Sequence, residues 1–261
     1  MLVTYDGIVV GRREVGENSC FIDILTDEQG IVEASAHGVK KLNSSLMSSA
    51  AIFSYATFCL NKSKGHYTIN SAKPKFSFHG LGSDIEKLAL ASYFAQSVRF
   101  CTPSEQNQLE DNHDSLVRFM AIAMYETLNT EKTNRSLEAV KSAFELRYSA
   151  ALGFSPNLVA CENCGRYTCD NGMYFLPRKG QLMCADCLNP DYDGIRVNLY
   201  YETLHAMRNI VFSPIESAFK FTISGEPEKQ LAAIAEDYFL YRTERTFTAL
   251  EYYKMLVGGT I

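Results

Sequence analysis

The chain of 261 residues lacks several features that would assign it quickly to a class of protein. It has no apolar run near the ~20 residues that a membrane-spanning helix needs, so we expect no membrane association. Its first residues, Met1-Leu-Val-Thr-Tyr-Asp6, show neither the basic n-region nor the apolar h-region of a secretory signal. We therefore expect a cytoplasmic protein.

Motifs that carry common enzyme chemistry are also absent. The sequence has no Gly-x-x-x-x-Gly-Lys phosphate loop, no His-Glu-x-x-His motif and no Gly-x-Ser-x-Gly nucleophile elbow. The pair Gly80-Leu-Gly82 lacks the third glycine of a dinucleotide-binding loop, and the five histidines are scattered. These absences predict that the chain is not an enzyme.

Acidic residues are missing from one long stretch, although the chain as a whole carries a formal net charge of −5. No Asp or Glu occurs between Ala34 and Ser83. The stretch contains six lysines: Lys40, Lys41, Lys62, Lys64, Lys73 and Lys75. This asymmetry predicts one positively charged face, which on charge alone is either a solvated surface or a binding face for an anionic partner.

Four of the eight cysteines form two Cys-x-x-Cys knuckles separated by nineteen residues. These residues are Cys161, Cys164, Cys184 and Cys187. Each short turn directs both of its sulfurs the same way, so two knuckles can surround one tetrahedral ion. Zinc suits four thiolates because it is borderline-soft and imposes no geometry of its own. Four protein ligands leave no position for water or substrate, so we predict one structural Zn²⁺ per chain.

Other roles for the cysteines remain open at this point. The four could be free or paired as disulfides, which need an oxidising compartment, and an iron–sulfur cluster also uses four thiolates. Cys169 lies between the knuckles and could compete as a ligand, although a spare thiol is the expected role. Cys20, Cys59 and Cys101 occur in apolar runs and are expected to lie in the core.

Residues 1–80 have the pattern of a small β-barrel. Short runs rich in Val, Ile and Phe are separated by polar turns. The five predicted strands are Thr4–Glu14, Ser19–Thr26, Ile31–His37, Ile52–Leu60 and Tyr67–Lys73. Five short strands in this length favour a closed barrel over a sandwich. The polar segment Lys40–Ser49 would project from that barrel.

The remainder of the chain is predicted to be helical around the cysteine segment. Ser83 and Glu86 form a capping box at the start of a first helix. Further helices are expected at about 114–129 and 135–152 from their apolar periodicity. Pro227 is placed at the first turn of a final helix.

The order and spacing of several motifs resemble the RecO family of bacterial recombination mediators. The motifs are Gly11-Arg-Arg-Glu-Val-Gly-Glu-Asn-Ser19, Ile22-Asp-Ile-Leu-Thr26, His37-Gly-Val-Lys-Lys41, Phe144-Glu-Leu-Arg147, Leu152-Gly-Phe-Ser-Pro156, Cys161-Glu-Asn-Cys-Gly165 and Tyr241-Arg-Thr-Glu-Arg245. Each motif is modest alone, but together they are specific and cover almost the whole chain.

The resemblance implies an α+β protein with three parts. These are an N-terminal OB-fold barrel at 1–80, a helical domain at 81–153 and 195–261, and an inserted zinc lobe at 154–194. The lobe is too small to bury a core alone, so the ion would supply much of its fold.

The resemblance also implies a function in DNA repair. It comprises binding of single-stranded DNA, annealing of complementary strands, and loading of the recombinase RecA with the partner RecR. Binding to the C-terminal tail of single-strand-binding protein (SSB), and association with the nucleoid, would follow.

An OB barrel binds single strands through a positive groove and aromatic faces. The predicted phosphate contacts are Lys40 and Lys41, followed by Lys73, Lys75, Arg12 and Arg13. Tyr67, Phe76 and Phe78 are candidates for base stacking, with packing in the core as the alternative. Two other classes stay open: a zinc enzyme acting on nucleic acid, which would need an open ligand position, and a zinc-ribbon transcription regulator.

Overall fold

The computed structural model describes residues 1–15, 17, 19–39, 46–102 and 115–258. The predicted contacts Lys40 and Lys41 lie outside the described residues. The chain divides into two compact units: unit 1 comprises residues 1–129 and 247–261, and unit 2 comprises residues 130–246. No helix among the described residues has both the length and the apolar character needed to cross a membrane.

Unit 1 contains a closed barrel of five strands in the order β1-β2-β3-β5-β4. The strands are β1 (Leu2–Val15), β2 (Ser19–Thr26), β3 (Gly30–Ala36), β4 (Ser54–Ser63) and β5 (His66–Ser77). Neighbouring strands are antiparallel except β3 and β5, which close the barrel through a short parallel pairing at Ala34 and Ser35. The predicted closed barrel of five strands is confirmed, with strand ends that differ by a few residues.

Strand β1 is long enough to pair with two neighbours. Its first half pairs with β4 and its second half with β2, and the register with β2 shifts between Val9 and Gly11. Such a bulge bends the strand and lets a sheet turn a corner. Gly7 permits the close approach of β2, because a Cβ there would lie 2.5 Å from the side chain of Ile24.

Alternation along each strand fills the barrel with apolar side chains. On β4, Ala56, Phe58 and Leu60 are fully buried, and Ile22 and Ile24 of β2 meet them in the interior. The residues between them face outwards, since successive side chains on a strand point to opposite faces. The core therefore follows the period of two seen in the sequence.

The structure contains seven α-helices within its described residues. They are α1 (Ile85–Cys101), α2 (Leu116–Leu128), α3 (Thr130–Thr133), α4 (Leu137–Ala151), α5 (Tyr201–Phe212), α6 (Glu226–Thr243) and α7 (Thr248–Val257). The helix that contains Pro227 is α6, and α7 follows it. The prediction that Pro227 begins the final helix was therefore wrong, although the proline does lie in the first turn.

The first helix begins at a different cap from the predicted one. The carboxylate of Asp84 accepts hydrogen bonds from the backbone N–H groups of Glu86 (2.9 Å) and Lys87 (3.1 Å). Ser83 instead ends a short 3₁₀ turn, where its hydroxyl donates to the carbonyl oxygen of Gly80 at 2.7 Å. Both residue types cap helices well, and the preceding turn uses the serine.

Unit 2 packs α4, α5 and α6 beside a four-stranded sheet with the order β6-β8-β7-β9. The strands are β6 (Asn157–Cys161), β7 (Met173–Leu176), β8 (Gln181–Cys184) and β9 (Val197–Leu199). Aromatic rings join the layers: Phe175 of β7 lies 5.8 Å from Tyr238 of α6, and Phe239 lies 5.9 Å from Tyr148 of α4. The sheet is thereby fixed to the helices of the same unit.

The helices predicted to form one domain are shared between the two units. The first two helices and α7 belong to unit 1 with the barrel, whereas α4, α5 and α6 belong to unit 2 with the cysteine segment. The division into separately folding domains at 1–80, 81–153 with 195–261, and 154–194 stays a prediction, which limited proteolysis would test.

Candidate metal centre and nucleic-acid interface

The two knuckles come together at the ends of two neighbouring strands. Cys161 ends β6 and Cys184 ends β8, and the parallel pairing of these strands brings their ends side by side. Each chain then turns tightly: Gly165 donates its N–H to the carbonyl of Cys161 at 2.9 Å, and Cys187 donates to Cys184 at 3.0 Å. These turns return the second sulfur of each knuckle towards the first.

The four sulfur atoms lie close enough together to hold one metal ion. The Sγ atoms of Cys161, Cys164, Cys184 and Cys187 all lie within 4.8 Å of one another. Zn–S bonds of about 2.3 Å place the sulfurs of a regular tetrahedron about 3.8 Å apart. The Sγ atoms of Cys164 and Cys184 are 3.7 Å apart, whereas a disulfide needs about 2.0 Å. All eight cysteines are free of disulfides, so the cluster can hold a metal ion.

The acidities of two of these thiols differ. Burial opposes ionisation of Cys161, but backbone N–H groups of Cys184, Cys164 and Asn163 outweigh it and lower the pKa of Cys161 to about 6. Burial and hydrogen bonds with the other three thiols raise the pKa of Cys184 to about 12. Four sulfurs this close need a cation before all can be thiolates, so metal binding must release protons.

Cys169 does not belong to the four-sulfur cluster. Its thiol lies 3.8 Å from Asp186, the residue between Ala185 and Cys187 of the second knuckle. The Asp186 carboxylate also accepts from Asn171 at 2.8 Å and from Arg166 at 2.5 Å, and these hydrogen bonds lower its pKa. Arg166 follows the first knuckle, so this ion pair joins the two knuckles outside the cluster.

Arg208 of α5 fixes the first knuckle to the helices and was not anticipated from the sequence. Its guanidinium donates to the carbonyl oxygens of Leu158 (2.8 Å), Val159 (3.1 Å) and Tyr167 (2.7 Å). The same group lies 3.6 Å from the centroid of the Tyr167 ring. No sequence signal marks this arginine, because its acceptors are backbone groups more than forty residues away.

On the barrel, the outer face of β1, β4 and β5 carries two of the predicted phosphate contacts. Asp6 of β1 is opposite Thr57 of β4, which is opposite Lys73 of β5. Lys73 is exposed and has no ion-pair partner among residues that the structure describes. Lys75 bonds to the Asp6 carboxylate at 2.5 Å and lies 5.0 Å from the Tyr55 ring centroid. The hydrogen bonds from Lys75 and Thr57 lower the pKa of Asp6.

The ion pair between Lys75 and Asp6 makes the predicted positive face less positively charged than its sequence suggests. The stretch from Ala34 to Ser83 has no acidic residue, yet strand pairing places Asp6 beside its lysines. The face is therefore basic with one carboxylate inside it.

The two arginines of β1 are also paired with carboxylates. Arg12 bonds to Glu14 at 2.9 Å and to the carbonyl oxygen of Ala50 at 3.3 Å, and Arg13 bonds to Glu33 at 3.3 Å. Arg12 lies six residues along β1 from Asp6, a separation of roughly 20 Å on an extended strand. The structure thus brings Lys73 and Lys75 together but places the arginines further along the barrel.

The three aromatic candidates have different environments. Phe78 is buried at 4% exposure, so packing is its role. Phe76 is 50% exposed and contacts Phe78 edge-on at 4.8 Å. Tyr67 is half-buried, with the Lys62 amine 5.2 Å from its ring centroid. Phe76 is the aromatic of the three that is best placed to meet a ligand, because it follows Lys75 on β5 and pairs with the outward-facing Tyr55.

The barrel, the helices and the four-cysteine cluster define an OB-like barrel protein with a cysteine cluster that could hold a metal ion. Comparison with known proteins then identifies the family. The model described as "Recombination protein O N terminal" matches residues 1–78, and "Recombination protein O C terminal" matches residues 82–251. The chain belongs to the RecO family, which places it among DNA repair proteins.

Curated relatives agree over nearly their full lengths. The DNA repair protein RecO of Alkaliphilus metalliredigens is 28% identical over 257 residues, covering 98% of this chain and 100% of the relative. The DNA repair protein RecO of Acetivibrio thermocellus is 27% identical over 250 residues, covering 96% and 95%. The family resemblance noted from the motifs is confirmed.

Proposed function

We propose that this protein is a recombination mediator that binds single-stranded DNA through the outer face of its barrel. The observation that carries the proposal is the outer face of β5, where the exposed Lys73 and the exposed Phe76 lie within three residues. A cation beside an aromatic ring is the combination that single-strand-binding barrels use for phosphates and bases. The closed barrel and the family match over residues 1–78 support the same function.

The six predicted contacts would contribute unequally. Lys73 is unpaired among described residues and would meet a phosphate directly. Lys75, Arg12 and Arg13 would first exchange a carboxylate for a phosphate, so each adds less. Lys40 and Lys41 keep their proposed role from the sequence and the family resemblance. Phosphate contacts carry no base information, so binding would be largely independent of sequence.

Strand annealing requires no covalent chemistry, and the protein acts without catalysis. Its cations would screen phosphate repulsion while two strands sample pairing, and the family implies that it loads RecA together with RecR. Binding to the SSB tail would bring it to coated DNA at the nucleoid in the cytoplasm. The decisive experiment measures annealing of SSB-coated complementary strands with and without this chain. Unchanged annealing, together with no capture of RecR or the SSB tail at micromolar concentration, would refute the mediator function.

We also propose that Cys161, Cys164, Cys184 and Cys187 hold one structural Zn²⁺. The support is the cluster of four sulfurs, which lie within 4.8 Å of one another and would supply all four ligands of a tetrahedral ion. This closure disfavours a zinc-dependent enzyme, which a metal-dependent nuclease assay checks. A zinc-ribbon regulator would prefer duplex of a given sequence, which competition between single and double strands would reveal.

A further inference from the structure

A cleft in unit 2 has no part in the functions proposed above. Its volume is about 280 Å³. One face of α5 and the segment 220–222 form its walls. The lining residues are Tyr201, Glu202, His205, Ala206, Asn209, Lys220, Phe221 and Thr222. All of these residues belong to unit 2.

Aromatic rings form much of the wall of this cleft. Tyr201 and His205 are one helical turn apart and stack, with centroids 6.3 Å apart and an interplanar angle of 30°. The Tyr201 side chain is 70% exposed, which leaves its ring accessible to a ligand. Phe221 contributes a third ring from the segment 220–222. Accessible rings of this kind bind planar groups by stacking.

The polar groups of the cleft define the rest of the ligand. Lys220 adds one cation, and Glu202 adds one carboxylate acceptor. The ligand should thus be planar, with an N–H donor and an anionic group.

We propose that this cleft binds one nucleotide whose base carries an exocyclic amine. The base would stack beside Tyr201, its amine would donate to the carboxylate of Glu202, and its phosphate would meet Lys220. The volume is slightly below the range of about 300–1,000 Å³ that drug-sized ligands occupy, which suits a single nucleotide.

Glu202 refines the choice of ligand. Its carboxylate accepts a hydrogen bond from an amine such as N4 of cytosine. Cytosine carries such an amine, whereas thymine has a carbonyl at the same ring position. We therefore expect dCMP to bind about two- to tenfold more tightly than dTMP, the effect of one additional hydrogen bond.

The test titrates the full chain with dCMP and with dTMP by calorimetry and by ligand-observed NMR. Tyr201→Ala should weaken dCMP binding roughly 5- to 100-fold, the range measured when stacking aromatics are truncated. Glu202→Leu removes the acceptor and should abolish the preference for dCMP. Tyr200→Ala is the matched control, because this neighbouring tyrosine is 48% exposed and lies outside the cleft lining. It should bind both nucleotides like the wild type.

Three results would overturn the proposal. One is the absence of dCMP binding at millimolar concentration, and another is wild-type dCMP binding in Tyr201→Ala. The third is an Asp-rich peptide that binds in a Tyr201-dependent way while dCMP does not, which would assign the cleft to an acidic protein partner. Tyr201 is exposed, so its variant should fold, as circular dichroism can verify. Mononucleotide binding does not involve the barrel, so failure of the proposed DNA interface would leave these readouts unchanged.

Discussion

Replacing Asp6 with asparagine should strengthen the binding of single-stranded DNA to the barrel. Asp6 is the carboxylate that strand pairing places beside Lys73 and Lys75, and it holds the Lys75 amine at 2.5 Å. The change Asp6→Asn removes one negative charge from the proposed interface and frees Lys75 for a phosphate. Both effects favour an anionic ligand.

The magnitude follows from counterion release. Each phosphate contact on a single strand contributes about −0.7 to the slope of log affinity against log salt concentration. Freeing Lys75 should therefore steepen the slope by about 0.7, and raising the salt from about 50 to 200 mM should cost an additional factor of about 2.6. The added variant Lys75→Gln should restore the original slope. Folding stability should change little, because exposed ion pairs contribute little to it.

Fluorescence anisotropy of a labelled oligonucleotide at several salt concentrations measures this effect. The pKa of Asp6 lies below its ordinary value, so the carboxylate stays charged from about pH 6 to 8 and the result should not depend on pH there. Glu86→Gln makes the same change of charge on α1 and is the matched control. Equal affinity and slope in the wild type and Asp6→Asn would refute the reasoning, as would an equal gain in both variants.

Three further changes test the rest of the structure. Cys161→Ser should abolish metal binding and unfold the cysteine segment while the barrel stays folded, since structural zinc contributes on the order of 10–16 kcal/mol of apparent binding free energy. Elemental analysis should find one zinc per chain in the wild type and none in the variant. Zinc retained at the wild-type level would contradict the site. Arg208→Ala should destabilise unit 2 by about 1–3 kcal/mol in urea unfolding, because three carbonyl oxygens lose their donor, and Arg208→Lys should recover only part of this. Gly7→Ala should destabilise unit 1 by about 1–3 kcal/mol through overpacking, since its Cβ would lie 2.5 Å from Ile24 and 2.6 Å from the Leu25 carbonyl oxygen. Gly82→Ala has no heavy atom within 4 Å of the new Cβ and should be neutral, so similar losses at both glycines would contradict this account.

Elements with a clear period in the sequence were predicted well. The five strands of the barrel and the long α4 follow local apolar patterns in the sequence. Their predicted bounds differ from the observed ones by only a few residues. Helix caps were less certain, because Ser83 and Asp84 are both good caps and the preceding 3₁₀ turn decided between them. The short α7 was missed because its ten residues follow α6 after a break of only four.

The four-cysteine cluster could be predicted from the sequence. Each Cys-x-x-Cys knuckle is a local turn, so two knuckles bring four sulfurs together once two short strands align their ends. The hydrogen bonds from Arg208 could not be predicted from the sequence, because their acceptors are backbone carbonyl oxygens, which every residue type has.

The charge of the barrel face was decided only by tertiary structure. The sequence correctly showed a stretch without acidic residues, but a face is made of several strands, and β1 contributes Asp6 from about fifty residues away from its partner Thr57. The same pairing left Lys73 exposed while Lys75 became ion-paired. Sequence composition describes how charge is distributed along the chain, whereas a ligand interacts with charges that lie within a few ångströms of one another on the surface. Strand pairing decides which residues share that surface.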